Sequence, residues 1–73
     1  MARIEIRSDI TGTLWQLRCK PGDQVAAGDT LMVIESMKME IPVITEDDGT
    51  VLEILVKETE PVAEGQVVAV IDG

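Results

Sequence analysis

The 73-residue sequence has no histidine, phenylalanine or tyrosine, and only one tryptophan and one cysteine. Without histidine it lacks the usual general base and the commonest metal ligand. A single cysteine cannot close an intramolecular disulfide, so stapling by a metal or a disulfide is not expected. Basic residues are scarce as well, 6 against 14 acidic ones, for a formal charge of −8. Binding to a phosphate backbone needs clustered Lys and Arg, so nucleic acid is excluded as a partner. Acidity of this size serves solubility and guided encounter with basic surfaces. No apolar run approaches the roughly 20 residues that cross a membrane. Arg3, Glu5, Arg7, Asp9 and Arg18 put charge where a signal peptide would be apolar. Together these features predict a soluble protein of a reducing compartment, the cytoplasm, with no membrane partner.

A chain this short buries only roughly 60% of its unfolded surface, which predicts one compact domain over residues 1–73 and no separate catalytic cleft. No window holds a helical period, and Gly or Pro interrupts too often for an ordinary helix. The expected class is all-β.

Sliding the sequence against itself by 37 positions aligns its halves, residues 4–36 and 41–73, without a gap. Gly12 falls on Gly49, Gly28 on Gly65, Val25 on Val62, Val33 on Val70 and Ile34 on Ile71. Each half reads as four extended segments: Ile4 to Arg7, Thr13 to Cys19, a piece around Val25 and Leu31 to Ile34, repeated from Ile41 to Ile71. In the long strand Trp15, Leu17 and Cys19, with their counterparts Leu52, Ile54 and Val56, form the apolar alternating set and are expected to face the core. On that reading Cys19 is a buried small hydrophobe. Leu31 to Ile34 and Val67 to Ile71 are apolar on both sets, and periodicity leaves their inner face open. Lys20-Pro21-Gly22-Asp23 carries the residues of a type II turn; Lys57-Glu58-Thr59-Glu60 lacks them and is expected to turn differently. Two interlocked four-stranded halves predict a flattened β-barrel or sandwich with quasi-twofold symmetry, because closing two sheets on each other limits exposed edges.

Between the halves lies Glu35-Ser36-Met37-Lys38-Met39-Glu40, flanked by the apolar runs Thr30 to Ile34 and Ile41 to Ile44. The pattern predicts a tight hairpin that holds the Lys38 amine on a flexible stem, within reach of another protein. The two methionines suit either gap filling or a contact surface. By the offset Met1 corresponds to Lys38, and Lys38 corresponds to a position just beyond Gly73, so both termini are expected together at the end opposite the lysine. Glu46-Asp47-Asp48 and Glu58 with Glu60 do not have calcium-loop spacing and read as polar turns rather than a metal site.

Met37-Lys38-Met39, with Glu35 before it and Glu40-Ile41-Pro42-Val43 after it, resembles the signature of the biotinyl and lipoyl attachment domain family, and the resemblance runs from about Ile10 to Ile71. Ser36 stands where that family often has alanine. The resemblance implies a barrel-sandwich fold, biotin joined by a biotin protein ligase to Lys38, and recognition by that ligase of Glu35, Ser36, Met37, Met39 and Glu40. It further implies a non-catalytic carrier whose tethered biotin swings between biotin carboxylase and carboxyltransferase sites, and no catalytic residue of its own. The simpler members are the nearest match, including short stand-alone attachment proteins, because the gapless offset leaves no room for an extra loop. No Pro/Ala-rich linker precedes Arg3, so the chain reads as a free-standing carrier or a domain of a larger enzyme. Two alternatives stand beside this. A lipoyl carrier, with lipoate on the lysine, typically shows Asp-Lys-Ala at the tip; an unmodified barrel-sandwich adaptor shares the phrase from Gly22 to Gly28 without needing Met-Lys-Met.

Overall fold

A computed structural model describes residues 2–73; Met1, which the offset aligns with Lys38, lies outside them. Eight strands follow in order: β1 Arg3–Arg7, β2 Gly12–Leu17, β3 Gln24–Val25, β4 Thr30–Ser36, β5 Met39–Ile44, β6 Gly49–Ile54, β7 Pro61–Val62 and β8 Val67–Asp72. They pair antiparallel into two sheets ordered β1-β8-β6-β3 and β5-β4-β2-β7. Each sheet draws two strands from either half, so neither half buries its apolar side without the other. The expected flattened sandwich of two four-stranded sheets is what the chain forms.

The core lies between the sheets. Leu14, Leu31, Met32 and Ile34 from the first half meet Val62, Val68, Ala69 and Ile71 from the second, all at most 1% exposed. Burying each of the larger side chains contributes about 1.5–3 kcal/mol.

Trp15 is not part of that core. It is 46% exposed and its counterpart Leu52 is 40% exposed, whereas Leu14 and Val51 are buried. The cause is a β-bulge in each long strand: the pairing of β2 with β4 skips between Leu14 and Gln16, and that of β6 with β8 between Val51 and Glu53. One extra residue reverses the alternation, so Leu14 points in, Trp15 points out, and Leu17 again packs on the core. The strands also end at Leu17 and Ile54, two residues short of the expected Cys19 and Val56.

The two four-residue turns have the same form, contrary to expectation. Asp23 N–H donates to the Lys20 carbonyl and Glu60 N–H to that of Lys57, each at 3.1 Å. Gly22 takes φ +97°, and Thr59 takes +74° without glycine's freedom. Two backbone bonds hold Thr59 there: its N–H donates to the Leu14 carbonyl at 2.7 Å, and Leu14 N–H donates to the Glu60 carbonyl at 2.9 Å. The sheet dictates this turn, at a conformational cost of about 1–2 kcal/mol.

Gly12 and Gly49 have another reason to be glycine. The backbone carbonyl of Asp72 lies 2.5 Å from where a Cβ on Gly49 would stand, and the carbonyl of Glu35 crowds Gly12 in the same way. At the chain ends, Ala2 N–H donates to the Gly73 carbonyl at 3.0 Å and Gly73 N–H to that of Ala2 at 2.8 Å.

Candidate functional site

The link between β4 and β5 is a two-residue hairpin. Ser36 pairs with Met39, and Met37 and Lys38 at the turn have φ of 53° and 65°. Two positive values define a type I′ turn, whose twist matches that of the strands and which normally takes Asn-Gly. Methionine and lysine hold it because the rungs beneath leave no other path.

Those rungs are well anchored. Ile34 and Ile41 pair on the inner face, and Ser36 Oγ donates to the Thr11 carbonyl at 3.0 Å. Thr11 Oγ1 in turn accepts from Glu64 N–H at 3.0 Å, tying the hairpin base to the loop before β8. From there β8 runs away to Asp72, so the paired termini lie at the far end of a body 36 Å long and 17 Å wide. The expected separation of lysine and termini is what the strands produce. Thr11 itself carried no sequence signal beyond its place opposite Asp48 in the repeat, where Asp48 Oδ1 accepts from Ala27 N–H.

All six residues singled out from the sequence therefore sit on one hairpin end. Met37 is 92% exposed and Met39 63%, so neither fills the core. Lys38 is exposed, and among the described residues the ion pairs are Arg3 with Glu53 and Arg7 with Glu5. The Lys38 ammonium is thus held by no carboxylate. Glu35 and Glu40 are exposed and face each other on the rung beneath the turn. Like charges directly opposite disfavour that rung slightly in the isolated chain.

Several of the other acidic residues serve the backbone. Glu60 Oε1 accepts from Lys57 N–H, Asp23 Oδ2 from Lys20 N–H, and Glu58 Oε2 from Leu17 N–H, at 2.8–3.0 Å. Among the described residues no three Cys, Asp or Glu side chains gather as a metal site. Cys19 is half-buried against the core, and burial, then the nearby Asp23 charge, raise its thiol pKa. No helix of the described residues is long and apolar enough to cross a membrane.

The sequence model of the family described as "Biotin-requiring enzyme" matches residues 4–71. The chain is 43% identical over 58 residues to the biotin/lipoyl attachment protein of Bacillus subtilis, covering 80% of each. It is 36% identical over 67 residues to a biotinylated protein TB7.3 homolog of Mycobacterium leprae, covering 92% of this chain and 94% of that one. Among solved structures, urea carboxylase of Kluyveromyces lactis superposes with a TM-score of 0.93 at 38% identity, over 99% of this chain and 6% of the enzyme. A match over nearly every strand, to relatives of the same length and to one segment of a large carboxylase, places the chain in the biotin/lipoyl attachment domain family.

Proposed function

We propose that Lys38 is the attachment residue and that the chain is a biotin carboxyl carrier. The observation that carries this is the hairpin: an unpaired lysine at the second position of a strained two-residue turn, between two exposed methionines. Attachment needs Nζ as a free nucleophile. The ammonium gives up a proton, Nζ bonds to the acyl carbon of the activated group, and the activating group leaves as the amide forms. Exposure lets Lys38 lose its proton in a partner's site without first breaking an ion pair. Glu35, Ser36, Met37, Met39 and Glu40 are the side chains a biotin protein ligase reads, since they surround the amine on one rigid support.

Once attached, biotin supplies a ureido nitrogen that takes up and gives back carboxylate. The chain's own contribution is position: it holds the arm at the narrow end of a long body, away from the termini. That converts a search in solution into a local one between biotin carboxylase and carboxyltransferase sites. The chain itself needs no catalytic group. Relatives named for both biotin and lipoate keep a lipoyl arm as the second reading. The methionines favour biotin, because Met37-Lys38-Met39 resembles the biotinyl signature, whereas a lipoyl tip typically shows Asp-Lys-Ala.

Intact mass after co-expression with a biotin protein ligase tests this. One added biotin, lost in Lys38→Arg and kept in Lys20→Arg and Lys57→Arg, supports the assignment. An added lipoyl group supports the second reading, and biotin retained by Lys38→Arg refutes the site.

A further inference from the structure

The repeat gives the molecule an internal comparison. Where two equivalent positions have the same place in the sandwich but differ in chemistry, the scaffold does not require the difference. We infer that the outer face of strands β5, β4 and β2, from the Lys38 hairpin back to Trp15, is the docking surface for the ligase that modifies Lys38. The ligase meets it with an apolar recess for Trp15 rimmed by Arg or Lys. The inference rests on the reading of Lys38 as the attachment residue.

Register defines the face. Thr13 pairs with Glu35 and Glu35 with Glu40; one step further from the tip on that face, Val33 lies between Gln16 and Pro42. The bulge brings Trp15 to the same side, beside Gln16. Val33 points outward yet is 7% exposed, so its neighbours on this face cover it, while Trp15 stays 46% exposed.

The equivalent face on the other sheet is closed. There Val70 lies between Glu53 and Glu5, and Arg3 pairs with Asp72. Arg3 Nη2 also reaches Glu53 Oε1 at 3.4 Å, and Arg7 Nη2 reaches Glu5 Oε1 at 3.0 Å. At the tip-bearing sheet the counterpart of Arg3 is Glu40, that of Glu53 is Gln16, that of Glu5 is Pro42 and that of Leu52 is Trp15. Its four strands hold two carboxylates, Glu35 and Glu40, and no Arg or Lys, while Arg18 just past β2 donates from Nε to Gln16 Oε1 at 2.6 Å rather than to a carboxylate. The face next to the lysine has therefore exchanged two ion pairs for the unpaired carboxylates of Glu35 and Glu40 and a large aromatic. Interfaces place such an aromatic in an apolar pocket, with complementary charge around it. The ligase rather than a second copy is the occupant, because this face runs without a break through the Glu35–Glu40 rung into the Lys38 hairpin that the ligase must reach.

The repeat also supplies the variants. Trp15→Leu and Glu40→Arg install residues that the other half already holds, and Leu52→Trp is the control on the opposite face. With a biotin protein ligase and biotin, Trp15→Leu and Glu40→Arg are expected to raise KM for the chain by about tenfold, with kcat kept within about twofold and the thermal midpoint unchanged. Leu52→Trp is expected to leave KM alone. Trp15 is the sole tryptophan, so 5-fluorotryptophan labelling gives one ¹⁹F resonance. It is expected to shift on adding the ligase, in wild type and in Lys38→Arg alike, which tests docking without any modification. Loss of biotinylation in wild type with the shift retained would count against Lys38 and leave the surface standing. An unmoved resonance, or equal KM in Trp15→Leu and wild type, would overturn the docking surface.

Discussion

The backbone carbonyl of Glu35 occupies the space that a Cβ on Gly12 would need. Strand β2 can therefore pass the base of the Lys38 hairpin only as glycine. Gly12→Ala is expected to destabilise the fold by about 1–3 kcal/mol, since the obstacle is backbone and cannot swing aside. Urea unfolding reads it directly. At Gly28, where φ is +94° and the space around is open, alanine meets only the strain of the left-handed region, and a loss of about 1–2 kcal/mol is expected there. If Gly12→Ala is neutral, close approach is not what holds that glycine.

Thr59 offers the opposite change. Its φ of +74° costs a β-branched residue more than glycine, and its side chain is exposed. Thr59→Gly is expected to stabilise the chain by about 0.5–1 kcal/mol, raising the urea midpoint without altering the slope. A lowered midpoint would show that the threonine side chain contributes more than its backbone strain removes.

At the tip, stability and reading separate. Met37→Asn gives the type I′ turn a residue that tolerates its conformation, with an expected gain of about 0.5–1 kcal/mol. Biotinylation is expected to slow, because an exposed thioether beside Lys38 is lost. Exchanging Lys38 with Met39 moves the amine onto the Ser36 rung, toward the inner face, and is expected to impair attachment more severely. A ligase that modified the exchanged lysine at the original rate would be reading exposure alone.

Cys19 sets an alkaline limit. Burial first, and Asp23 second, raise its thiol pKa in the folded chain. The unfolded thiol therefore ionises at lower pH than the folded one. Stability is full below the unfolded pKa and falls as pH rises toward the folded value. The urea midpoint is expected to decline above about pH 8.5 in wild type, less steeply in Asp23→Asn, and not from this source in Cys19→Ala. Identical pH profiles for wild type and Cys19→Ala would remove Cys19 as the cause.

The class, the two interlocked sheets and the exposed hairpin were all legible in the order of residues, because glycine spacing and apolar runs recur at a fixed offset. Trp15 was not. Alternation assumes an unbroken pleat, and the bulge that turns Trp15 outward is set by how β2 meets β4. The turn at Thr59 misled for a related reason: its local residues suggest another form, while two bonds to Leu14 impose this one. Sequence located the six residues of the tip. That Thr11 pins the hairpin, and that Glu35 and Glu40 stand on one rung, needed the strands in register.

Ala2 and Gly73 meet where the other half of the sandwich has its lysine hairpin, in the same paired-strand arrangement. Circular permutation is the natural consequence. A two-residue Met-Lys bridge from Gly73 to Ala2 would recreate a second tip at the opposite pole, so a carrier with two arms about 36 Å apart needs no new scaffold.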